Sequence, residues 1–186
     1  MTKKEKVLDT TLRLIAAQGI QGTPMSQISR ESGVATGTIY HHFKSKEAIL
    51  NEIYLQKKVD FERIIEASLN PSKRVKTQFA DVWTGLFQYY TNDPLIFTFT
   101  QQVSSTPIIT PESRKAGELY FRKIYAFFKH GIQAGHFLDM DVHLLTRMVH
   151  GNIHTLAELS INGSLEVSED VLNEAIAFSW RAIVPA

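Results

Sequence analysis

The sequence predicts an all-α protein of about nine helices. Two observations carry that prediction. Helix-start signals recur along the whole chain, and the valine-isoleucine alternation typical of strands is missing. The start signals are of three kinds. Proline follows a capping residue in Thr23-Pro24, Asn70-Pro71, Asp93-Pro94 and Thr110-Pro111. Thr2 and Glu5 have the spacing of a capping box. Ser45 precedes Lys46-Glu47, and Ser168 precedes Glu169-Asp170, with acids at the positive helix end. Together they place helices at 3–18, 24–32, 36–43, 46–68, 71–91, 94–104, 111–134, 141–162 and 168–183.

The first helix turns Val7, Leu8, Leu12 and Ile15 to one side. In the second, Thr23 is expected to cap, Pro24 to take the first position and Ile28 to face inward. Gly33 then supplies the positive φ of a helix C-terminus. The third helix is too short to stand alone in water. It offers chiefly Ile39 and Phe43 to a core, which Val34 would complete, and carries Thr36, Thr38, Tyr40, His41 and His42. Helix, glycine turn and polar second helix make a helix-turn-helix, whose hydroxyls, phenol and imidazoles suit base edges and phosphates.

The helix at 46–68 carries Ile49, Leu50, Ile53, Tyr54, Phe61, Ile64 and Ile65, and no Gly/Ser-rich or Pro-rich linker precedes it. It reads as a strut between a DNA-binding domain at 1–45 and a second domain at 46–186. Residues 79–128 hold 12 of the chain's 19 aromatic residues, around the polar stretch Thr98–Thr106. A cavity of that make-up suits a ligand, although rings at helical spacing also pack ordinary cores. The helices at 141–162 and 168–183 each have an apolar face. Periodicity does not separate a face between subunits from an internal one.

Bulk properties narrow the class. The 186 residues are 44% hydrophobic and 21% charged, ordinary for a globular protein. Cysteine is absent, which excludes disulfides and thiolate metal sites and fits a cytoplasmic protein. No apolar signal core follows Lys3, Lys4 and Lys6, and no run approaches a membrane span, so no membrane partner is expected. Net charge is +1, but residues 1–50 hold seven basic and four acidic groups. The excess lies on the helix-turn-helix side.

Residues 8–50 resemble the N-terminal domain of the TetR/AcrR family of bacterial transcriptional regulators. The resemblance rests on Gly19, Thr23, Ile28, Gly33-Val34, Gly37-Thr38-Ile39-Tyr40, His42-Phe43, Lys46-Glu47 and Leu50. Ser29 and Ala35 depart from the family's usual alanine and serine. The resemblance implies that Ser26, Gln27, Thr36, Gly37, Thr38, Tyr40, His41, His42 and Lys46 meet operator DNA. Thr36, Thr38 and His41 suit base edges. Tyr40, His42 and Lys46 suit phosphates, and Gly37 lets the backbone approach the duplex.

It further implies a homodimer on a pseudo-palindromic double-stranded operator, its half-sites about 34–36 Å apart or multiples of that. Leu145, Met148, Val149, Asn152, Leu156, Leu172 and Ile176 would form the subunit interface as a four-helix bundle. It implies a small apolar or aromatic effector as well, with Trp83, Phe87, Tyr90, Phe99, Gln102, Phe121 and Tyr125 as its contacts. No cofactor and no metal are expected. His143, His150 and His154 nevertheless share a stripe with Glu158, in which the spacing of His150 and His154 also suits zinc or a pH-sensitive contact. The expected function is a repressor released by its effector. The alternatives are a regulator that activates or needs no ligand and, remotely, an enzyme acting on an aromatic or lipid-like molecule. No ordered nucleophile-base pair or phosphate loop supports the last.

Overall fold

The computed structural model describes residues 1–185. Among them are ten α-helices: α1 (Lys3–Gln18), α2 (Met25–Ser32), α3 (Thr36–His42), α4 (Lys46–Ser68), α5 (Val75–Asn92), α6 (Pro94–Val103), α7 (Pro111–Glu118), α8 (Arg122–Gln133), α9 (Val142–Ile161) and α10 (Glu169–Arg181). A 3₁₀ turn at Leu119–Phe121 divides the helix expected at 111–134 into α7 and α8.

Most start signals act as the sequence suggests. Thr2 and Glu5 form both bonds of the capping box. The carboxylate of Asp93 accepts from the Leu95 amide at 3.1 Å, and Ser168 accepts from the Val171 amide. Two signals mean something else. Asn70 accepts from the amide and hydroxyl of Ser72, which closes a local turn, and α5 starts only at Val75. Thr23 is fully buried, and its hydroxyl donates to the Gly19 carbonyl at 2.9 Å instead of capping α2.

The described chain divides into two compact units, Met1–Val59 with Asp93–Glu118, and Asp60–Asn92 with Leu119 onward. This differs from the boundary expected at residue 45. The cause is α6, whose Phe99 and Val103, followed by Ile109, join Val7, Leu8, Ile15, Ile28, Val34, Ile39, Leu50 and Ile53 in one core. Asn51 reinforces the first unit. Its side-chain amide donates to the Glu47 and Ile108 carbonyls, and its carbonyl accepts from the Thr110 amide. Arg114 donates to the carbonyls of Ser104 and Thr106. The segment before α7 is thereby tied down at both ends.

The core of the second unit is built from Phe61 and Ile65 of α4 and from α5, α8, α9 and α10. A deep polar junction in it is satisfied. The fully buried Ser179 hydroxyl receives the Trp83 indole N–H and the Asn152 side-chain amide, each at 3.1 Å.

Candidate functional site

The DNA-reading surface grows from a turn held by serines. Gly33 closes α2 with φ 67°, a left-handed conformation costly for any side chain. The Ser29 hydroxyl donates to the Val34 carbonyl at 2.8 Å, and the Ser32 hydroxyl accepts from the Val34 amide at 3.3 Å. Ser29 therefore closes the turn. Ile28, Val34, Ile39 and Phe43 are buried beneath, which fixes α3 by its inner side.

What remains of α3 faces outward. Thr36, Gly37, Tyr40, His41 and His42 are exposed and Thr38 is half-buried. Tyr40 is 51% exposed, so it does not pack the domain core. The rings of His41 and His42 meet edge-on at 5.4 Å. Nothing lies within 4 Å of a Cβ placed on Gly37, so packing gives no reason for glycine there. On α2, Ser26 is exposed, whereas Gln27 bonds with Gln18 and with Glu31.

Lys46 has a different position from the expected one. Its ammonium donates to the Ile20 carbonyl at 2.7 Å and the Thr23 carbonyl at 3.1 Å, clamping the turn between α1 and α2. The expected phosphate contact would have to share a group already holding the domain together. Lys44, one of the seven basic groups of residues 1–50, is exposed just after α3.

The second unit contains an apolar cleft of about 20 Å³, little more than one water's worth. Trp83 and Phe121 line it with Phe61, Phe79, Phe127 and Phe128. Phe87, Tyr90 and Tyr125 lie in the shell behind: Phe87 stacks on Trp83, Tyr125 stacks on Phe121, and Tyr90 bonds His150. Phe99 and Gln102 are not part of it. Phe99 is 1% exposed in the core of the first unit. Gln102 borders a separate groove beside Gly19 and Ile20. The reason is the division of the chain, which places α6 in the first unit.

His150 and Thr146 are the polar members of the cleft wall. The Thr146 hydroxyl donates to the Val142 carbonyl. His150 Nε2 lies 3.1 Å from the Tyr90 hydroxyl, and burial pushes the Tyr90 phenol well above its ordinary range. Each histidine of the α9 stripe meets an aromatic ring, His143 against Tyr125 at 4.5 Å and His154 against Tyr90 at 6.0 Å. Among the described residues, no group of three or more His, Cys, Asp or Glu is placed to hold a metal ion.

The outer side of α9 and α10 forms an apolar groove lined in part by Met148, Gly151, Thr155 and Phe178. Met148 is 58% and Phe178 61% exposed, and Leu144 is also exposed. Of the residues expected at a subunit interface, Leu145, Val149 and Leu156 are instead buried within the chain. Leu172 and Ile176 are half-buried, as is Asn152, which bonds Ser179. Leu145, Met148, Val149 and Asn152 nevertheless line this groove, whereas Leu156, Leu172 and Ile176 do not.

Residues 7–53 match the family model described as bacterial regulatory proteins, tetR family, and residues 74–184 match that of the tetracyclin repressor-like C-terminal domain. The chain belongs to the TetR family of transcriptional regulators. It is a DNA-binding regulator with a helix-turn-helix in its first unit. A TetR-family transcription regulator from Shewanella sp. PV-4 is 27% identical, with full coverage of both chains and a TM-score of 0.91. The fatty acid metabolism regulator protein of Bacillus subtilis is 27% identical over 81% of this chain and 79% of its own. The structure of the regulator FadR from Bacillus subtilis in complex with stearoyl-CoA shares the fold, with TM-score 0.77 and 24% identity over 94% of this chain and 96% of that one. No helix among the described residues is long and apolar enough to cross a membrane.

Proposed function

We propose that this regulator is a homodimeric repressor, released from a pseudo-palindromic operator when an apolar effector enters the cleft of the second unit. The observation that carries the reading is the cleft itself: six aromatic rings around a narrow gap with His150 and Thr146 as its polar groups. Ligand sites of that lining usually measure roughly 300–1,000 Å³, so an effector must push the rings apart. That displacement is the differential interaction a ligand needs to favour one state over another.

Helix α4 contributes residues to both units. It supplies Phe61 and Ile65 to the cleft wall and Ile49, Leu50 and Ile53 to the core under the reading helix. A second copy of the chain suits the groove of Met148, Gly151, Thr155 and Phe178, because large apolar side chains at that exposure need cover. Two copies would present two α3 helices to successive major grooves. The fatty-acid regulator among the relatives, and the stearoyl-CoA bound by FadR, support an apolar-chain effector.

The test is operator release. Footprinting on the DNA upstream of the protein's own gene gives the operator, and fluorescence anisotropy then follows binding while dodecanoyl-CoA is added. At least tenfold weaker DNA binding is expected. Unchanged affinity with cleft occupancy shown by Trp83 fluorescence would contradict release by this cleft.

A further inference from the structure

The first turn of α1 carries more positive charge than its own neighbours offset. Lys3, Lys4 and Lys6 stand at the positive end of the helix dipole, where cations are disfavoured. Of the nearby acids, Glu5 completes the capping box, Asp9 pairs with Arg13, and Glu52 of α4 pairs with Lys4 at 2.8 Å. Lys3 and Lys6 are exposed and join no ion pair among the described residues. Lys4 shows where this turn lies. Its ammonium is 5.7 Å from the centre of the Phe43 ring. Phe43 is the residue at which α3 ends, and its ring centre is 6.3 Å from that of the exposed His42. The start of α1 therefore borders the C-terminal end of the reading helix. Lys44, exposed and likewise outside the ion pairs, follows Phe43 directly. Lys46, by contrast, is held by the Ile20 and Thr23 carbonyls.

We propose that Lys3, Lys6 and Lys44 bind phosphates of the operator duplex just outside the major groove entered by α3, as a second line of backbone contacts. The proposal needs only the DNA-binding function of the family, and neither a dimer nor an effector. Charge and continuity name the partner. A duplex carries one negative charge per about 1.7 Å of its axis, so a basic border continuous with the reading helix meets phosphates once α3 is seated. An ammonium at such a contact releases condensed counterions and reads no base. The duplex also supplies the anion that the first turn of α1 lacks.

The experiment follows binding of the full chain to operator and scrambled duplexes by fluorescence anisotropy across a salt series. Lys3→Gln combined with Lys6→Gln should lower the slope of log K against log salt by about 1.8 per bound chain, and Lys44→Gln by about 0.9. Both duplexes should weaken by the same factor, within about twofold, because phosphates carry no sequence. Lys3→Arg combined with Lys6→Arg, which keeps the charge, should retain the wild-type slope. Lys129→Gln makes an equal charge change at an exposed position of the second unit and should leave the slope unchanged. Circular dichroism melting confirms that each variant folds. Should the double glutamine variant fail to fold, Lys3→Gln alone and Lys44→Gln decide on the same slopes. An unchanged slope in the α1 variant or in Lys44→Gln overturns the assignment. A slope that falls equally in Lys129→Gln overturns it in favour of net charge, and a loss confined to the operator overturns it in favour of base reading.

Discussion

Replacing Lys46 with methionine separates two jobs that the same residue could do. In the structure its ammonium donates to the Ile20 and Thr23 carbonyls at 2.7 and 3.1 Å. Hydrogen bonds to a charged donor contribute about 1.5–3 kcal/mol each. The site is half-buried, so water recovers part of both carbonyls, and a net loss of about 2 kcal/mol is expected. For a chain of this length that corresponds to a fall in melting temperature of roughly 4–8 °C. The same variant is then tested on operator DNA across a salt series. A phosphate contact contributes about 0.9 to the slope of log K against log salt. The clamp predicts an unchanged slope together with lower stability. A slope reduced by about 0.9 with the melting temperature intact would refute it and return Lys46 to the DNA backbone.

Tyr40→Ala should weaken operator binding about tenfold and leave unfolding by urea unchanged, since the ring is half exposed and outside the core. Gly33→Ala should cost about 1–2 kcal/mol of stability, read from the same unfolding curves, because φ is 67° there. Ser179→Ala removes the common acceptor of the Trp83 indole and the Asn152 amide, and should destabilise the second unit by about 1–3 kcal/mol, visible as an early loss of Trp83 fluorescence in urea. His154 is held below its ordinary pKa of 6.5 by burial, against the opposing pull of Glu158. The unfolded chain therefore binds the proton more readily, so stability should fall as pH drops through 6.5 toward the depressed value. His154→Gln should flatten that part of a pH-melting profile.

The limits of sequence legibility are clearest at three places. The reading helix was legible because its pattern is local: a positive-φ glycine, two inward apolar side chains and a run of polar groups between them. Thr23 was misread as a cap, and the clamp made by Lys46 went unforeseen, because their partners are carbonyls, which every residue carries and no sequence pattern marks. Leu145 and Met148 differ by three residues and by nearly full burial against 58% exposure. A helix with apolar groups around much of its circumference does not announce which stripe its own chain will cover.

Sequence alone determined the helical class, most helix starts and the helix-turn-helix, since caps, glycine conformation and 3.6-residue periodicity act within a few residues. The tertiary structure decided where the chain divides. It sent Phe99 into the core beneath α3 and kept Trp83 and Phe121 for the cleft. It also placed His150 of α9 beside Tyr90 of α5, 60 positions apart. Such pairings depend on which helix faces which, and that is settled by the packing of whole faces and not by any local signal.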